Sequence, residues 1–525
     1  MKNCDVKSSS IFYITIFLIK SVHNAKNILG DIMKEKRLIT IFTAYALCSA
    51  LLVGACGVIC FVKGETYTKS AVSQRSDSIV IKHYRGKIYD RGGVPLVDNT
   101  VVQLRLDENA GINLHSGEPL ALVPERYSEN SIARHIIGYV DSDGVGVSGV
   151  EKAYESILAS SGADSLDVMK SANGKIIAPL SFREKHPPAG SVTLTIDSHI
   201  QRLTEDVMKK REITGAVVIL DTKTFDILAM ASTPDYNQND ISPYLNSDGG
   251  EFVNRCIMPY NAGSIFKIVT MCAAGERAKL CRQYTCDGFF NLDNHTFSCN
   301  KEGGHGMIGC ERAFSESCNC AFYKMGLDVG ADAILSTAKK FGIGTPVITD
   351  GDFLGETHGN VPDVKEITDT VNYSIGQGEI LITPVQAANM VCIIANGGVA
   401  GDVNIISQTS DATGKITLPI PDTQEVRISK KTSEYVKNCM ISAVKDGTGK
   451  LLSQSEAKIA GKTGTAATGW EVGGRTLVHG WFCGFFPYDN PQYAMAVLVE
   501  DGGSGAASAA PVFGEIAEEI MKFYP

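Results

Sequence analysis

The chain has 525 residues, of which 44% are hydrophobic and 20% are charged, so it contains enough apolar material for a large folded core. Its formal net charge of -9 argues against a nucleic-acid-binding function, which needs a basic surface. Fifteen cysteines occur without the spacing of a small disulfide scaffold. We therefore expect most of them to be small apolar core residues, in an environment that does not oxidise thiols efficiently.

The first predicted element is a membrane span at residues 38–62, a run without any formally charged residue. A helix crosses a bilayer with about 20 apolar residues. Three basic residues within 34–37 precede the run, whereas only Lys63 follows closely. Because basic residues favour the cytoplasmic side, residues 1–37 are predicted to be cytoplasmic and everything after Lys63 to lie outside. The run lacks a small-residue cleavage site, which predicts an uncleaved single-pass anchor in the cell membrane.

The segment before the predicted span has no clear role. Its apolar run at residues 11–19 is too short to cross a membrane. Met33 stands directly before the basic cluster and is a natural start. We interpret residues 1–32 as an over-extended start or as a disordered cytoplasmic tail.

Two folded domains are predicted after the span, a small mixed domain at residues 63–190 and a larger domain at residues 191–525. The smaller one is rich in turn residues. The larger one begins with an alternating strand pattern at residues 191–196. Asp197 is then a suitable N-cap for a predicted helix over residues 198–210.

The rest of the larger domain alternates between strand and helix patterns. Residues 215–220 and 226–232 predict a β-hairpin, and helical and loop patterns occupy residues 263–397. Three β-rich runs and a last helix are predicted at residues 458–462, 478–486, 493–499 and 511–523. A sheet built from both ends of a domain, with helices inserted between, indicates an α/β fold with a central antiparallel sheet.

A Ser-x-x-Lys pattern at Ser264 and Lys267 is the first candidate catalytic motif. Such patterns also occur by chance, as at Ser336 and Ser455. Ser264 differs because Gly263 allows a tight turn before it and a buried-helix pattern follows it. At helical spacing, Ser264 and Lys267 lie within one turn of each other. A serine hydroxyl needs a base, and lysine is one only when burial or a neighbouring cation lowers its pKa.

A Ser-x-Asn tripeptide, from Ser317 to Asn319, follows in the chain. Its serine could relay a proton between Lys267 and a leaving amine, and its asparagine could hold Lys267 and a substrate amide. Lys462, further along the chain, is the candidate cation that lowers the pKa of Lys267.

The third motif is a Lys-Thr-Gly-Thr run in a β-like segment, from Lys462 to Thr465. A strand edge with a glycine at Gly464 can pair with an extended peptide. Lys462 and the hydroxyls of Thr463 and Thr465 could then hold a substrate carboxylate. The backbone N–H groups of Ser264 and Thr465 could form an oxyanion hole.

In this order the three motifs resemble the serine-nucleophile site of penicillin-binding proteins and serine β-lactamases. Over about residues 80–525 the chain resembles the class B penicillin-binding proteins, the monofunctional peptidoglycan D,D-transpeptidases. Further runs that carry the resemblance are residues 85–92, 135–139, 146–151, 374–378, 383–386 and 447–449. One departure is Ala262, where the family usually has proline before Gly-Ser.

The resemblance implies a penicillin-binding/β-lactamase-like transpeptidase fold at residues 191–525, preceded by a pedestal domain at residues 63–190. It implies that Ser264 attacks the D-Ala–D-Ala bond of a stem peptide and that the amine of a neighbouring stem resolves the acyl-enzyme. β-Lactam antibiotics are expected to acylate the same serine. A membrane partner, a glycosyltransferase of the SEDS type, is also implied.

A second candidate site consists of three cysteines and a histidine, Cys286, Cys299, Cys318 and His305. Three thiolates and an imidazole suit tetrahedral zinc, although the spacing is not that of a zinc ribbon. Some elongation-type relatives carry a metal next to the Ser-x-Asn motif, and the resemblance includes His305 and Cys318. The alternatives are a Cys286–Cys299 disulfide and free core cysteines, and the spare candidate ligands are Cys310 and Cys320. No cofactor beyond a structural zinc is expected.

Three other functions share the motifs. A β-lactam-sensing receptor domain would carry several spans and a cytoplasmic signalling part. A β-lactamase needs a base that activates water, and no motif supplies one. A catalytically silent scaffold is disfavoured by the intact set of three motifs. The sequence leaves open whether the protein serves elongation, division or sporulation.

Overall fold

The computed structural model describes residues 16, 20–21, 35–106, 112–113, 119–171, 175–280, 282–349, 351–419 and 424–524. The interpretation of residues 1–32 as an over-extended start or tail lies outside these residues, apart from 16 and 20–21. The chain divides into two compact units. One comprises the residues up to Ile79 together with Asp167–Ser181, and the other comprises Val80–Leu166 together with the chain from Phe182 onward.

The helices, in chain order, are α1 (Glu35–Gly57), α2 (Gly64–Arg75), α3 (Arg134–Ile137), α4 (Gly149–Ala153), α5 (Glu155–Leu158), α6 (Ser198–Lys210), α7 (Lys267–Glu276), α8 (Cys310–Ser315), α9 (Asn319–Val329), α10 (Ala331–Lys340), α11 (Ile367–Tyr373), α12 (Pro384–Ala395), α13 (Lys430–Lys445) and α14 (Ala509–Phe523).

The strands, in chain order, are β1 (Ser76–Arg85), β2 (Ile88–Tyr89), β3 (Thr100–Leu106), β4 (Ile112–Asn113), β5 (Pro119–Glu125), β6 (Ala159–Lys170), β7 (Ile176–Arg183), β8 (Ser191–Leu194), β9 (Gly215–Asp221), β10 (Ile227–Thr233), β11 (Tyr260–Asn261), β12 (Gln283–Cys286), β13 (Phe289–Leu292), β14 (His295–Ser298), β15 (Gly306–Gly309), β16 (Ile348–Thr349), β17 (Leu381–Ile382), β18 (Val399–Ala400), β19 (Val403–Asn404), β20 (Ile406–Ser410), β21 (Ile416–Thr417), β22 (Glu425–Val426), β23 (Ala460–Val472), β24 (Arg475–Phe486) and β25 (Tyr493–Val499).

The first unit contains the predicted span. Helix α1 continues through a π-helical turn, Val58–Val62, and then α2 begins. Among the described residues, Leu38–Val62 is the one helical stretch long and apolar enough to cross a membrane. The described residues bury none of its most apolar stretch. A lipid environment would cover these side chains, in agreement with the predicted anchor.

Buried charges organise the N-terminal part of the second unit. The Glu151 side chain is fully buried and accepts hydrogen bonds from the Arg85 Nε (3.1 Å), the Arg126 Nε (2.8 Å) and the Tyr127 hydroxyl (2.9 Å). Arg126 also pairs with Asp98 at 3.3 Å. Burying a charge is costly unless it is paired, and these side chains pair with one another. The network therefore connects the sequence run 85–92, which contains Arg85, to the run 146–151, which contains Glu151.

The central sheet has the order β10-β9-β25-β24-β23, and its neighbouring strands are antiparallel. Strand β25 lies in the middle and is buried throughout. Its alternate residues face two different apolar clusters, Ala494 with α12 on one side and Met495 with α6 and α14 on the other. Each fully buried large apolar side chain contributes about 1.5–3 kcal/mol, so this double layer stabilises the sheet.

The structure confirms most predicted elements of this domain. The Asp197 carboxylate accepts hydrogen bonds from the N–H groups of His199 and Ile200 and begins α6 where expected. The predicted hairpin is β9 and β10, and the C-terminal strands complete the same sheet. The strand predicted at residues 458–462 is wrong in its bounds, because β23 runs from Ala460 to Val472.

The sequence interpretation of residues 263–397 as helix and loop is incomplete. Two short antiparallel pairs, β12 with β15 and β13 with β14, interrupt the helices. Each strand has four residues and little burial on its outer side, so its pattern is too short to distinguish from a loop. These strand pairs matter because three of the four candidate metal ligands lie on or directly beside them: Cys286 ends β12, Cys299 follows β14 and His305 precedes β15. The fourth, Cys318, lies between α8 and α9.

Candidate active site

Ser264 stands in a 3-10 turn, Gly263–Phe266, directly before α7. Gly263 has a φ of +53°, and a Cβ at this position would lie 2.6 Å from the carbonyl oxygen of Thr465. The Gly263 N–H donates to the carbonyl of Gly376 at 2.9 Å. Only glycine permits this approach, and the turn therefore brings the partly exposed Ser264 beside β23.

Lys267, at the start of α7, is fully buried. Its Nζ donates to the Ser317 carbonyl (2.7 Å), the Ser317 hydroxyl (3.1 Å) and the Asn319 Oδ1 (2.7 Å). Burial lowers the pKa of Lys267 to about 7, against a weaker raising effect of nearby cysteines, Cys318 first among them. A neutral amine, which can accept a proton, is therefore well populated near neutral pH.

The Ser317 hydroxyl lies between two lysine amines. It accepts from Lys267 and also from the Lys462 Nζ at 3.0 Å. Burial, and secondly the charge on Lys267, lowers the pKa of Lys462 well below its usual range. Ser317 itself has a φ of +56°, which is rare for a residue with a side chain. The backbone turn between α8 and α9 thus holds this hydroxyl at a position that ordinary helix geometry would not give.

Strand β23 forms the other wall, at the edge of the central sheet. Gly464 pairs with Trp481, and a Cβ on Gly464 would lie 2.9 Å from side-chain atoms of Ile265 and of Trp481. The Thr463 hydroxyl donates to the Thr448 Oγ1 at 2.7 Å. The glycine therefore allows the Ser264 turn to pack directly on the strand.

All eight residues that the sequence proposes for catalysis and substrate binding lie around this one cleft. They are Ser264, Lys267, Ser317, Asn319, Lys462, Thr463, Gly464 and Thr465. The arrangement offers a nucleophilic hydroxyl, a neutral amine near it, a hydroxyl relay and a strand edge. It is suited to acyl transfer through a serine ester.

The four candidate metal ligands also lie together. The ligand atoms of Cys286, Cys299, His305 and Cys318 are all within 4.8 Å of one another. His305 Nδ1 is 3.5 Å from the sulfurs of both Cys286 and Cys299, and the Cys299 and Cys318 sulfurs are 3.9 Å apart. A tetrahedral zinc with usual bond lengths needs S···S edges of about 3.8 Å and S···N edges of about 3.6 Å. The donor set fits this ion, so the cluster could hold a metal.

The cluster is coupled to the catalytic turn through Cys318. This residue separates Ser317 from Asn319, and its sulfur accepts from the Ala321 N–H at 3.5 Å as the N-cap of α9. The hydrogen bond between the Cys299 and Cys318 thiols lowers the pKa of Cys299 and raises that of Cys318.

The state of the thiols and the side chains beside the cluster bear on the alternatives to a metal site with these four ligands. The thiols of Cys286 and Cys299 are free, not joined in the alternative disulfide. The thiol of Cys310 donates to the carbonyl of Arg282 instead of joining the cluster. The other ring nitrogen of His305 lies 3.6 Å from a Glu316 carboxylate oxygen. A carboxylate in this position orients a metal-binding imidazole.

Residues 215–522 match the family model described as the penicillin binding protein transpeptidase domain. The chain belongs to this family. The peptidoglycan D,D-transpeptidase MrdA of Haemophilus influenzae is 29% identical over 428 residues, covering 74% of this chain and 64% of the relative. The peptidoglycan D,D-transpeptidase PbpA of Mycolicibacterium smegmatis is 30% identical, covering 70% and 78%. The crystal structure of penicillin binding protein 3 from Mycobacterium tuberculosis with aztreonam has a TM-score of 0.67 and 26% identity, covering 85% and 97%.

This penicillin-binding protein has the fold class expected from its motifs, a transpeptidase fold with an N-terminal pedestal region and one apolar N-terminal helix. It spans less than two thirds of the length of the Haemophilus relative. Many of its cysteines are core residues, as predicted, and those fully buried include Cys256, Cys272, Cys392, Cys439 and Cys483.

Two residues beside the candidate sites, one at the catalytic cleft and one at the cysteine cluster, are not predicted from the sequence. Thr448 belongs to the run 447–449 and has no predicted role of its own, yet its N–H donates to the Ser315 carbonyl at 3.0 Å and its hydroxyl oxygen accepts from the Thr463 hydroxyl. Glu316 has no motif of its own, although it directly precedes Ser317 and faces His305. Its position in the chain was the available signal, because the carboxylate directly precedes the serine of the Ser-x-Asn motif.

Proposed function

We propose that this protein is a peptidoglycan D,D-transpeptidase that cross-links stem peptides through an acyl-enzyme on Ser264. The observation that carries the proposal is the Lys267 amine, fully buried with a pKa lowered to about 7 by that burial, one 3-10 turn from a partly exposed serine hydroxyl. A lysine in this state is a base at neutral pH, and a serine beside it becomes a nucleophile.

In acylation, Lys267 takes the proton from the Ser264 hydroxyl while the oxygen attacks the carbonyl carbon between the last two D-alanines. The tetrahedral oxyanion is stabilised by the backbone N–H groups of Ser264 and Thr465. The Ser317 hydroxyl, which contacts both Lys267 and Lys462, donates its proton to the leaving nitrogen and takes from Lys267 the proton that came from Ser264, so that the Lys267 amine is neutral again. The C–N bond then breaks, D-alanine leaves with this proton, and Ser264 carries the ester.

Substrate orientation follows from the strand edge. An extended stem peptide pairs with β23, and its terminal carboxylate lies near Lys462 and the hydroxyls of Thr463 and Thr465. The hydrogen bond from Thr463 to Thr448 fixes the rotamer of the first hydroxyl. Asn319, which accepts from Lys267, has an amide that can also donate to the substrate.

In the second step, the amine of a neighbouring stem attacks the ester. Its proton returns through Lys267 to the Ser264 oxygen, a new amide bond forms, and the cross-linked product leaves. β-Lactams enter the first step in the same way, because the strained amide acylates Ser264 and the leaving nitrogen stays attached.

Labelling with a fluorescent penicillin tests the proposal. The wild-type protein is expected to carry a stable label, and Ser264→Ala should lose it completely because the nucleophilic oxygen is gone. Ser336→Ala is the matched control, since Ser336 begins another Ser-x-x-Lys pattern on the exposed side of α10. An unlabelled wild type would contradict the proposal, and label lost within minutes would favour a β-lactamase.

For the membrane context, we propose a single-pass anchor at Leu38–Val62 with the catalytic domain outside the cell and a SEDS-type glycosyltransferase as partner. The exposed apolar surface of this helix and the basic residues before it support the proposal. Replacement of residues 38–62 by an unrelated membrane span should keep penicillin labelling and reduce co-purification of the SEDS-type glycosyltransferase. Unchanged co-purification would remove the span from the partner interface.

The cysteine cluster is proposed to hold one structural zinc through Cys286, Cys299, Cys318 and His305. When bound, zinc cross-links the hairpins to the loop that carries Ser317 and Asn319. Metal analysis of the purified full chain should give about one equivalent of zinc. Cys299→Ser and His305→Ala should lose it, whereas Cys310→Ser should retain it. Zinc-free wild-type protein, or loss in Cys310→Ser, would contradict this ligand set.

A further inference from the structure

Beyond the catalytic residues, β23 and β24 continue into a hairpin with a large bulge. Ala467 pairs with Val478 and Glu471 pairs with Thr476, so residues 468–470 face Leu477 alone. The Thr468 hydroxyl donates to the Leu477 carbonyl (3.1 Å) and accepts from the Trp470 N–H (3.0 Å). Bulges redirect side chains, and this one is held by its own hydrogen bonds.

The bulge presents Trp470 to solvent. Its side chain is 75% exposed, the highest exposure among the large hydrophobic residues of the central sheet. The chain has two tryptophans, and the other, Trp481, is fully buried with its indole N–H bonded to the Asn261 carbonyl at 3.1 Å. An exposed indole at the end of a substrate-binding strand is typical of a contact residue, since tryptophan dominates the energy of binding surfaces.

The base of the hairpin is braced. The Arg475 guanidinium forms a two-point ion pair with the Asp501 carboxylate, and the Asp501 N–H donates to the His479 Nδ1 at 3.3 Å. The Gly503 N–H donates to the Val478 carbonyl at 3.1 Å. The loop after β25 therefore supports the hairpin, and Trp470 is carried on a supported element.

The position of Trp470 along β23 determines which part of a bound substrate its side chain can contact. A strand rises about 3.3 Å per residue, so Trp470 lies at most roughly 16 Å from Thr465 along the edge. A stem peptide that pairs antiparallel to β23, with its carboxylate at Thr463 and Thr465, has its N-terminal end toward the bulge. That end of the stem is joined to a sugar of the glycan strand.

We propose that Trp470 is the platform for the sugar that carries the donor stem peptide, a subsite for saccharide next to the peptide site. The inference rests on the proposed transpeptidase function. The C–H face of a pyranose packs on the flat indole, while the sugar hydroxyls remain in water. The subsite distinguishes a stem attached to glycan from a free peptide, which the catalytic residues alone do not.

Tryptophan fluorescence tests the contact directly. Full-length protein in detergent, with Ser264→Ala to stop turnover, is titrated with a disaccharide-pentapeptide or with the free pentapeptide, and acrylamide quenching is followed. The disaccharide-pentapeptide should protect the exposed Trp470 and the free pentapeptide should not. In a Ser264→Ala, Trp470→Phe variant the effect should vanish, because Trp481 is buried. Equal protection by both ligands, or by neither, would overturn the sugar subsite.

Kinetics give the second readout. Trp470→Ala in the otherwise wild-type chain should raise KM for a glycan-linked donor about 2- to 10-fold, the usual range for one aromatic contact, with little change in kcat. Trp470→Phe should restore part of the loss, and Thr476→Ala, an exposed change on the same hairpin, should have no effect. The rate of acylation by a penicillin, which has no sugar, should stay unchanged in all three variants.

These experiments distinguish failure of the sugar subsite from failure of the proposed transpeptidase function. If a penicillin does not label the wild type, the proposed function itself fails. If the wild type is labelled and cross-links glycan-linked donors, but Trp470→Ala keeps the wild-type KM, the sugar subsite alone is wrong.

Discussion

The pedestal region and the catalytic cleft both bury cations, and they treat them in opposite ways. In the pedestal, burial lowers the pKa of Arg126, but Glu151 and Asp98 outweigh it and the net pKa is raised. In the cleft, Lys267 and Lys462 have no ion pair with a carboxylate among the described residues, and burial lowers both pKa values. A buried cation with a counter-ion is a structural group, and one without becomes a base.

The largest effect is expected from removal of the pedestal counter-ion. Glu151→Ala leaves Arg85 and Arg126 buried without their shared carboxylate, which should lower the free energy of unfolding by about 3–5 kcal/mol. Denaturant unfolding of the full chain in detergent measures this change. Glu155→Ala is the matched control, because Glu155 also pairs with Arg85 but is partly exposed and should cost about 1 kcal/mol or less. Equal losses in the two variants would break the comparison.

The reverse change, a counter-ion added to the cleft, is the second prediction. Asn319→Asp places a carboxylate beside Lys267, where the amide oxygen now accepts at 2.7 Å. The carboxylate favours the charged amine and should raise its pKa by about 1–3 units, so acylation by penicillin at pH 7 should fall about 5- to 500-fold.

The control for the added charge is Asn319→Ala, which removes the hydrogen bond without adding a carboxylate. In Asn319→Asp the acylation rate should recover as the pH rises, because deprotonation of Lys267 is only delayed. In Asn319→Ala the pH profile should not move upward. An unshifted profile in Asn319→Asp would show that Lys267 is not the base.

Features of this site that depend on residues adjacent in the chain are predictable from the sequence, whereas features that depend on residues far apart in the chain are not. The Asp197 cap and helix α6 follow from adjacent residues, and the structure reproduces their predicted bounds. The motif residues were predicted as a group, yet the spacing does not reveal that Ser317 bridges Lys267 and Lys462. That contact depends on a left-handed residue between two helices, which local propensity does not favour.

The cause of the lowered Lys267 pKa was left open by the sequence and is identified by the structure. Either burial or Lys462 was expected to lower it, and burial is the cause for Lys267, while the charge coupling acts on Lys462. Burial is set by long-range packing, for example by Phe322, whose ring centre is 5.4 Å from the Lys267 amine. Such packing has no local sequence pattern. The same reason explains the missed hairpins around the cysteine cluster.

The wild-type pH profile is a third and smaller test of the same comparison. Lys267 is protonated below its pKa of about 7 and cannot accept the Ser264 proton. The acylation rate should therefore fall about tenfold for each pH unit below 7 and level off above it. Stopped-flow or gel measurement of penicillin labelling from pH 5 to 10 gives this curve. A rate still rising steeply at pH 10 would indicate an ordinary lysine with a counter-ion.

The smallest effect is expected at Thr448, which acts on the cleft only through a neutral hydrogen bond. Thr448→Val keeps the shape of the side chain but removes the oxygen that accepts from the Thr463 hydroxyl at 2.7 Å. One neutral hydrogen bond contributes about 0.5–1.5 kcal/mol, so penicillin acylation should slow about 2- to 10-fold. The midpoint of the pH profile should stay near 7, because no charge near Lys267 has changed. A displaced midpoint would place Thr448 in the proton path, and an unchanged rate would mean that Thr463 is positioned without it.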